Sequence, residues 1–151
     1  MKDYFKELLE YSHFYNLKVI EKFHDGDLEF MVPERAVALL SHTLNIQKVW
    51  NMRIEEKQEK VEAWKNLEVD QLESVENENF QNCISILANE DLNRVVTYKN
   101  TKGESCESTI RDIIFHIVNH STYHRGQIAT EFRKQGIDPV VSDFIYYENN
   151  K

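Results

Sequence analysis

The sequence predicts an all-α fold, a four-helix bundle, and three observations predict it. Apolar residues recur at steps of three and four through four separate stretches, the signature of helices that bury one face. Glycine and proline are scarce, 4 and 2 of 151 residues, which disfavours a turn-rich β protein. The chain is also about the size of one domain and can bury roughly 70% of its unfolded surface. It therefore needs neither a metal nor a disulfide to fold, and residues 1–151 read as a single domain. A metal, if bound, is free to serve chemistry.

Tyr4, Phe5, Leu8, Leu9, Tyr11, Ser12, Tyr15, Val19 and Phe23 give an amphipathic first helix over about residues 2–24, with His24-Asp-Gly-Asp as its stop. Pro33 suits the first turn of a second helix, which Val37, Leu40, Leu44, Ile46, Val49 and Trp50 carry to about Glu56. The polar stretch around Trp64 is open between a loop and a short helix. A third helix is expected from Asp70 to Asn89, with Leu72, Val75, Phe80, Ile84 and Leu87 facing inward. Between Asn93 and Ser108 the pattern changes to Val95-Val-Thr-Tyr98, a turn ending in Gly103, and Glu-Ser-Cys-Glu-Ser, which predicts a short hairpin-like insertion before the last helix. Ser108-Thr-Ile-Arg offers an N-cap. The fourth helix follows through Ile110, Ile113, Ile114 and Ile117, and Gly136 ends it as a C′ residue. After Asp138-Pro139 an extended tail is expected, with Phe144, Ile145, Tyr146 and Tyr147 docked on the bundle.

Composition narrows the function. A net charge of −8, with acidic residues dominant from Glu55 to Glu90, disfavours nucleic acid and anionic membrane as partners. No run approaches the roughly 18 apolar residues of a membrane span, and the charged N-terminus lacks an apolar leader segment, so a cytoplasmic location is expected. Cys83 and Cys106 then read as free thiols.

The chemistry lies in the histidines. His116, His120 and His124 stand at steps of four in the fourth helix, where residues four apart share a face. The stripe Ile113, Ile117, His120, His124, Gln127, Glu131 carries two imidazoles into the bundle interior, where they need acceptors or a metal. Two ligands from one helix do not close a site. His42 lies on a comparable stripe of the second helix, Leu39, His42, Ile46, Val49, Arg53, and bundle helices about 8–10 Å apart allow imidazoles to meet at one ion. The candidate triad is thus His42, His120 and His124. His116 is rotated about 40° per four-residue step away from them and reads as a packing neighbour, and His13 and His24 as surface or loop residues. Glu131 and Asp143 are the carboxylates that can approach to close the shell. Gln127 is placed to hydrogen-bond a ligand or substrate, Arg125 to make a structural ion pair, and Gly126 to permit a close helix contact. Trp50 and Tyr123 read as core or interface aromatics.

The string Asn119-His120-Ser-Thr-Tyr-His124-Arg-Gly-Gln127, with Leu39-Leu-Ser-His42 upstream and Gly136-x-Asp-Pro139-x-x-Ser-Asp143 downstream, resembles the DinB/YfiT-like family. The resemblance covers nearly the whole chain, including Tyr15-Asn16 and Trp50. It implies a four-helix bundle with an unusual order of helix directions, a long crossover, and a divalent metal such as zinc or nickel held by His42, His120 and His124. Some relatives resemble thiol S-transferases, and another group acts as a thiol-dependent isomerase.

Three neutral histidines leave coordination positions open, as catalysis requires. The expected function is a metal-dependent enzyme, either a thiol S-transferase working with a low-molecular-weight thiol or a hydrolase of a small substrate. The alternative is a non-catalytic metal-binding stress-response module. Its partners would be a small molecule and a second copy in a homodimer.

Overall fold

A computed structural model describes residues 1–28, 31–58 and 60–148, and among them it is predominantly helical. Four long helices, α1 (Lys2–Phe23), α2 (Glu34–Ile54), α3 (Val69–Asn89) and α4 (Ile110–Lys134), pack on one another, and a short α5 (Phe144–Glu148) follows. The expected hairpin is present as β1 (Val95–Lys99) and β2 (Ser105–Thr109), antiparallel from Val95↔Thr109 to Lys99↔Ser105. Gly103 adopts a φ of 80° in its turn, a conformation that costs glycine little.

Local signals set the ends of α4. Thr109, rather than Ser108, is the N-cap, accepting from the Asp112 amide at 3.2 Å. At the other end Gly136 has φ 72°, its amide reaches Arg133 O at 3.0 Å, and the Ile137 amide reaches Phe132 O at 3.1 Å. This is a Schellman stop, completed by Phe132 and Ile137 in one apolar cluster.

Contacts between the helices fix their directions. Lys2 meets Ala88 and His24 meets Asp70, so α1 and α3 are antiparallel. Arg35 meets Glu131 and Trp50 meets His116, so α2 and α4 are antiparallel. Asn16 bonds Ser121 while Phe23 packs on Phe132, which makes α1 and α4 parallel. Ser41 bonds the backbone just before α3 and Asn51 bonds Cys83 further along it, so α2 and α3 are parallel too. Parallel neighbours cannot be joined by a tight turn. The chain between Ile54 and Val69 must therefore run back along α2, a helix of 21 residues and about 31 Å.

The core is split. One apolar cluster holds Phe5, Leu9, Ile86, Leu87, Ile113 and Ile117, and a second holds Ile20, Leu39, Leu40, Leu72, Ile128 and Phe132. Buried polar side chains lie at mid-height between them, among them Ser12, Asn16, Glu76, Asn79, Ser121 and Arg125. This layer changes the inward face expected for α3. Its buried residues are Leu72, Glu76, Asn79, Cys83, Ile86 and Leu87, whereas Phe80 and Ile84 are only partly buried. The polar members of the stripe satisfy one another across helices: Asn79 donates to Leu44 O and Cys83 to Asn51 Oδ1. The tail also differs from the expectation. Phe144 and Tyr147 pack against Tyr11, but Ile145 and Tyr146 are exposed, because the tail winds into α5 and turns two of its four apolar residues outward.

Candidate metal centre

α2 delivers His42 and α4 delivers His120 and His124 to one point: a ring nitrogen from each lies within 4.8 Å of the other two. Each helix buries its stripe, so the three imidazoles meet where the stripes cross. His120 Nε2 is 3.0 Å from His124 Nε2, close to the roughly 3.3 Å that two nitrogens adopt on one tetrahedral ion with bonds of about 2.0 Å.

Hydrogen bonds from the outer nitrogens set the tautomers. Ala63 O can only accept, so the His42 Nδ1 at 2.9 Å carries the proton and Nε2 keeps its lone pair. Gln127 Oε1, 2.7 Å from His124 Nδ1, does the same for His124. Two of the three rings are thus oriented as metal ligands are, with the outer N–H spent on an oxygen and the inner nitrogen bare. Where His124 presents a bare Nε2, His120 at 3.0 Å must either donate a proton to it or share a cation with it.

The returning crossover supplies one of these bonds. It is irregular around Trp64 and is tied to α2 by three side-chain contacts: Ser41 to the Leu67 amide, His42 to Ala63 O and Asn45 to Lys65 O. Trp64 lies flat on the His42 imidazole, 3.7 Å between ring centres and 8° between planes, while remaining 60% exposed. It forms an aromatic wall beside the histidines. Neither role was visible in the sequence, where Trp64 stood in an unassigned polar stretch.

Burial lowers the pKa of all three imidazoles. For His120 burial acts first and the neighbouring His124, His42 and His116 add to it, taking the group down to about 3. For His42 and His124 burial outweighs the bonds to Ala63 and Gln127, which act the other way. The cluster is therefore neutral at neutral pH, the protonation state a metal requires.

A family model described as the DinB family matches residues 1–151. The chain belongs to the DinB family. It is also 33% identical over 58 residues to Protein DinB of Bacillus subtilis (strain 168), a stretch covering 38% of this chain and 34% of that protein. The aligned part thus spans about a third of that relative's length.

In this DinB-family chain the other expected residues fall as follows. Among the described residues no carboxylate joins the three histidines: Glu131 faces Arg35 and Lys134, and Asp143 lines a groove with Tyr11 and Arg125. His116 sits beside the cluster, its ring 5.5 Å from His120 and edge-on to Trp50. Trp50 is partly buried against the core, whereas Tyr123 is 63% exposed with its edge toward His124. His24 is exposed and bonds its own helix end. His13 is not a free surface residue; it bonds Glu76 at 2.9 Å and stacks on Phe80. Arg125 makes no direct ion pair among the described residues. It is 3% exposed, donates to Ser12, Asn16, Ser121 and Thr122, and reaches the charge of Glu76 through the Asn16 amide. Gly126 has no close helix contact, since a Cβ there would meet nothing within 4 Å. Both cysteines are free; Cys83 is buried, and that burial pushes its thiol up to about 12. No described helix is long and apolar enough to cross a membrane.

Proposed function

We propose that the chain is a four-helix bundle with a long crossover whose three histidines, His42, His120 and His124, hold one divalent ion for catalysis on a small molecule. The observation that carries this reading is the pair of polarised imidazoles whose inner nitrogens converge with that of a third while their outer nitrogens are held by Ala63 and Gln127. When bound, a zinc or nickel ion supplies Lewis acidity that lowers the pKa of a small thiol or of water. Three protein ligands leave room for such a nucleophile. Ala63 and Gln127 keep the imidazoles neutral and fixed in direction, so little reorganisation is needed on binding. Trp64 and Tyr123 give the mouth of the site aromatic flanks.

Among the described residues neither cysteine joins the three histidines. Cys83 is enclosed, bonded to Asn51 and Gln47, and held protonated. This supports a low-molecular-weight thiol as co-substrate, and hence thiol S-transfer, with hydrolysis of a small substrate as the related outcome. Cobalt substitution tests the reading: addition of a small thiol should shift the d–d absorption of the cobalt-loaded protein. A spectrum unchanged by thiols and small anions would reduce the site to a non-catalytic metal-binding module.

A further inference from the structure

Along α2, three turns past His42 on the same stripe, Arg53 is held in an unusual environment. Its guanidinium lies against two aromatic rings that meet edge to face, 4.5 Å from the centre of Trp50 and 4.9 Å from that of Tyr98. One nitrogen donates to Lys99 O at 3.2 Å, which fixes the fork in direction. Its remaining N–H donors have no acceptor among the described residues, and none is sealed from solvent.

Arg94 is the internal control. It is likewise half-buried, but it is clamped by Glu90 at 2.8 Å, by Glu56 at 3.4 Å and by Ile54 O at 2.6 Å. Arg53 has no carboxylate within 4 Å among the described residues, although the chain carries 26 acidic residues against 18 basic ones. Burial lowers its pKa, so this charge is kept at a cost, and the N–H donors of the fork that Lys99 does not take are left to bind a partner. Trp50 connects that fork to the metal centre: its ring is 5.4 Å from His116, which is 5.5 Å from His120.

We propose that Arg53 is the anchor for a carboxylate on the small molecule whose reactive end lies at the three histidines. This rests on the function proposed above and adds the chemical class of its ligand. A planar fork offering two parallel N–H bonds matches one carboxylate, and a single cation matches its single charge. Helical side chains lean toward the N-terminus, so the guanidinium sits back over Trp50, and the ligand must span on the order of 10 Å. Trp50 and Tyr98 are positioning residues that hold the fork.

Calorimetric titration with S-methylglutathione and with its diethyl ester, on metal-free and zinc-loaded protein, tests this without any reaction. The protein should prefer the acid by at least tenfold, although a net charge of −8 favours the ester. Arg53→Gln should abolish the preference without changing ester affinity, and Arg53→Lys should keep part of it. Equal affinity for acid and ester in the wild type overturns the proposal, as does a preference that survives Arg53→Gln or no binding of either compound at millimolar concentration. The metal-free arm separates this from the metal reading, which fails instead if the protein takes up no zinc or cobalt.

Discussion

The two polar clusters on opposite sides of α4 use similar residues to opposite ends. Toward α1, Arg125 donates to Ser12, Asn16, Ser121 and Thr122, Asn16 passes the contact to Glu76, and Glu76 ends on His13. Donors meet acceptors here with one exception, Arg125 Nε, the single buried side-chain atom without a partner among the described residues. Toward α2, His42 and His124 turn their outer nitrogens to Ala63 and Gln127, and His42, His120 and His124 each bring a ring nitrogen within 4.8 Å of the other two. There His124 offers a bare nitrogen that His120, at 3.0 Å, must meet with a proton or a shared cation. A network of donors and acceptors stabilises the fold, whereas converging ring nitrogens also suit a cation, and that difference is why the second cluster carries the proposed function.

The largest effect should follow from opening the closed cluster. Arg125→Ala leaves the buried acceptors of Ser12, Asn16 and Ser121 without their shared donor and should cost about 3 kcal/mol in denaturant unfolding. Metal affinity of the folded variant should stay within a few fold. A loss below about 1 kcal/mol would mean that the layer is wetter than described.

Next is the support of the open cluster. Gln127→Leu removes the acceptor that orients His124 and should weaken zinc binding by about 10–100-fold, with unfolding of the metal-free protein nearly unchanged. The reverse pattern, intact affinity with lost stability, would make Gln127 a packing residue.

The two clusters should also part on pH. The imidazoles of His42, His116, His120 and His124 are lowered by burial, so the unfolded chain takes up protons that the folded, metal-free chain refuses. Their contribution to stability is thus present above the unfolded value of about 6.5 and is lost as pH falls toward the folded values, about 3 for His120. Zinc affinity should begin to fall only below the ordinary imidazole value of about 6.5, measured against a chelator corrected for its own protonation. A midpoint at about 6.5 would show imidazoles in ordinary water.

The smallest effect is at Gly126, which lies between the clusters and touches neither. Gly126→Ala should raise stability by up to about 1 kcal/mol, because the helix gains a better former and the added Cβ meets open space. Destabilisation would restore the close approach expected from the sequence.

What was legible follows from range. The His120–His124 spacing, the Gly136 stop and the hairpin are local patterns, and each has a local physical cause. His42 was found because its stripe is apolar enough to show. Glu76, Asn79 and Cys83 were not, since a buried stripe made of polar residues looks like a solvent face until its partners are known. A long crossover was expected from the family resemblance alone, and its contacts were hidden for the same reason: Ala63 and Trp64 gain meaning only when parallel α2 and α3 force the chain back over His42. His13 meets Glu76 across 63 positions, and Arg125 reaches that carboxylate only through Asn16.

The most direct test of the account is zinc retained per chain after loading and competition with a chelator, in the wild type, His42→Ala, His120→Ala, His124→Ala and His24→Ala. The account predicts one ion per chain in the wild type and in His24→Ala, whose histidine is exposed and far from the cluster. Each triad variant should lose affinity by more than the roughly 10–100-fold expected of Gln127→Leu. Retention in His42→Ala equal to that in His24→Ala, or a wild type that holds no zinc, would contradict it.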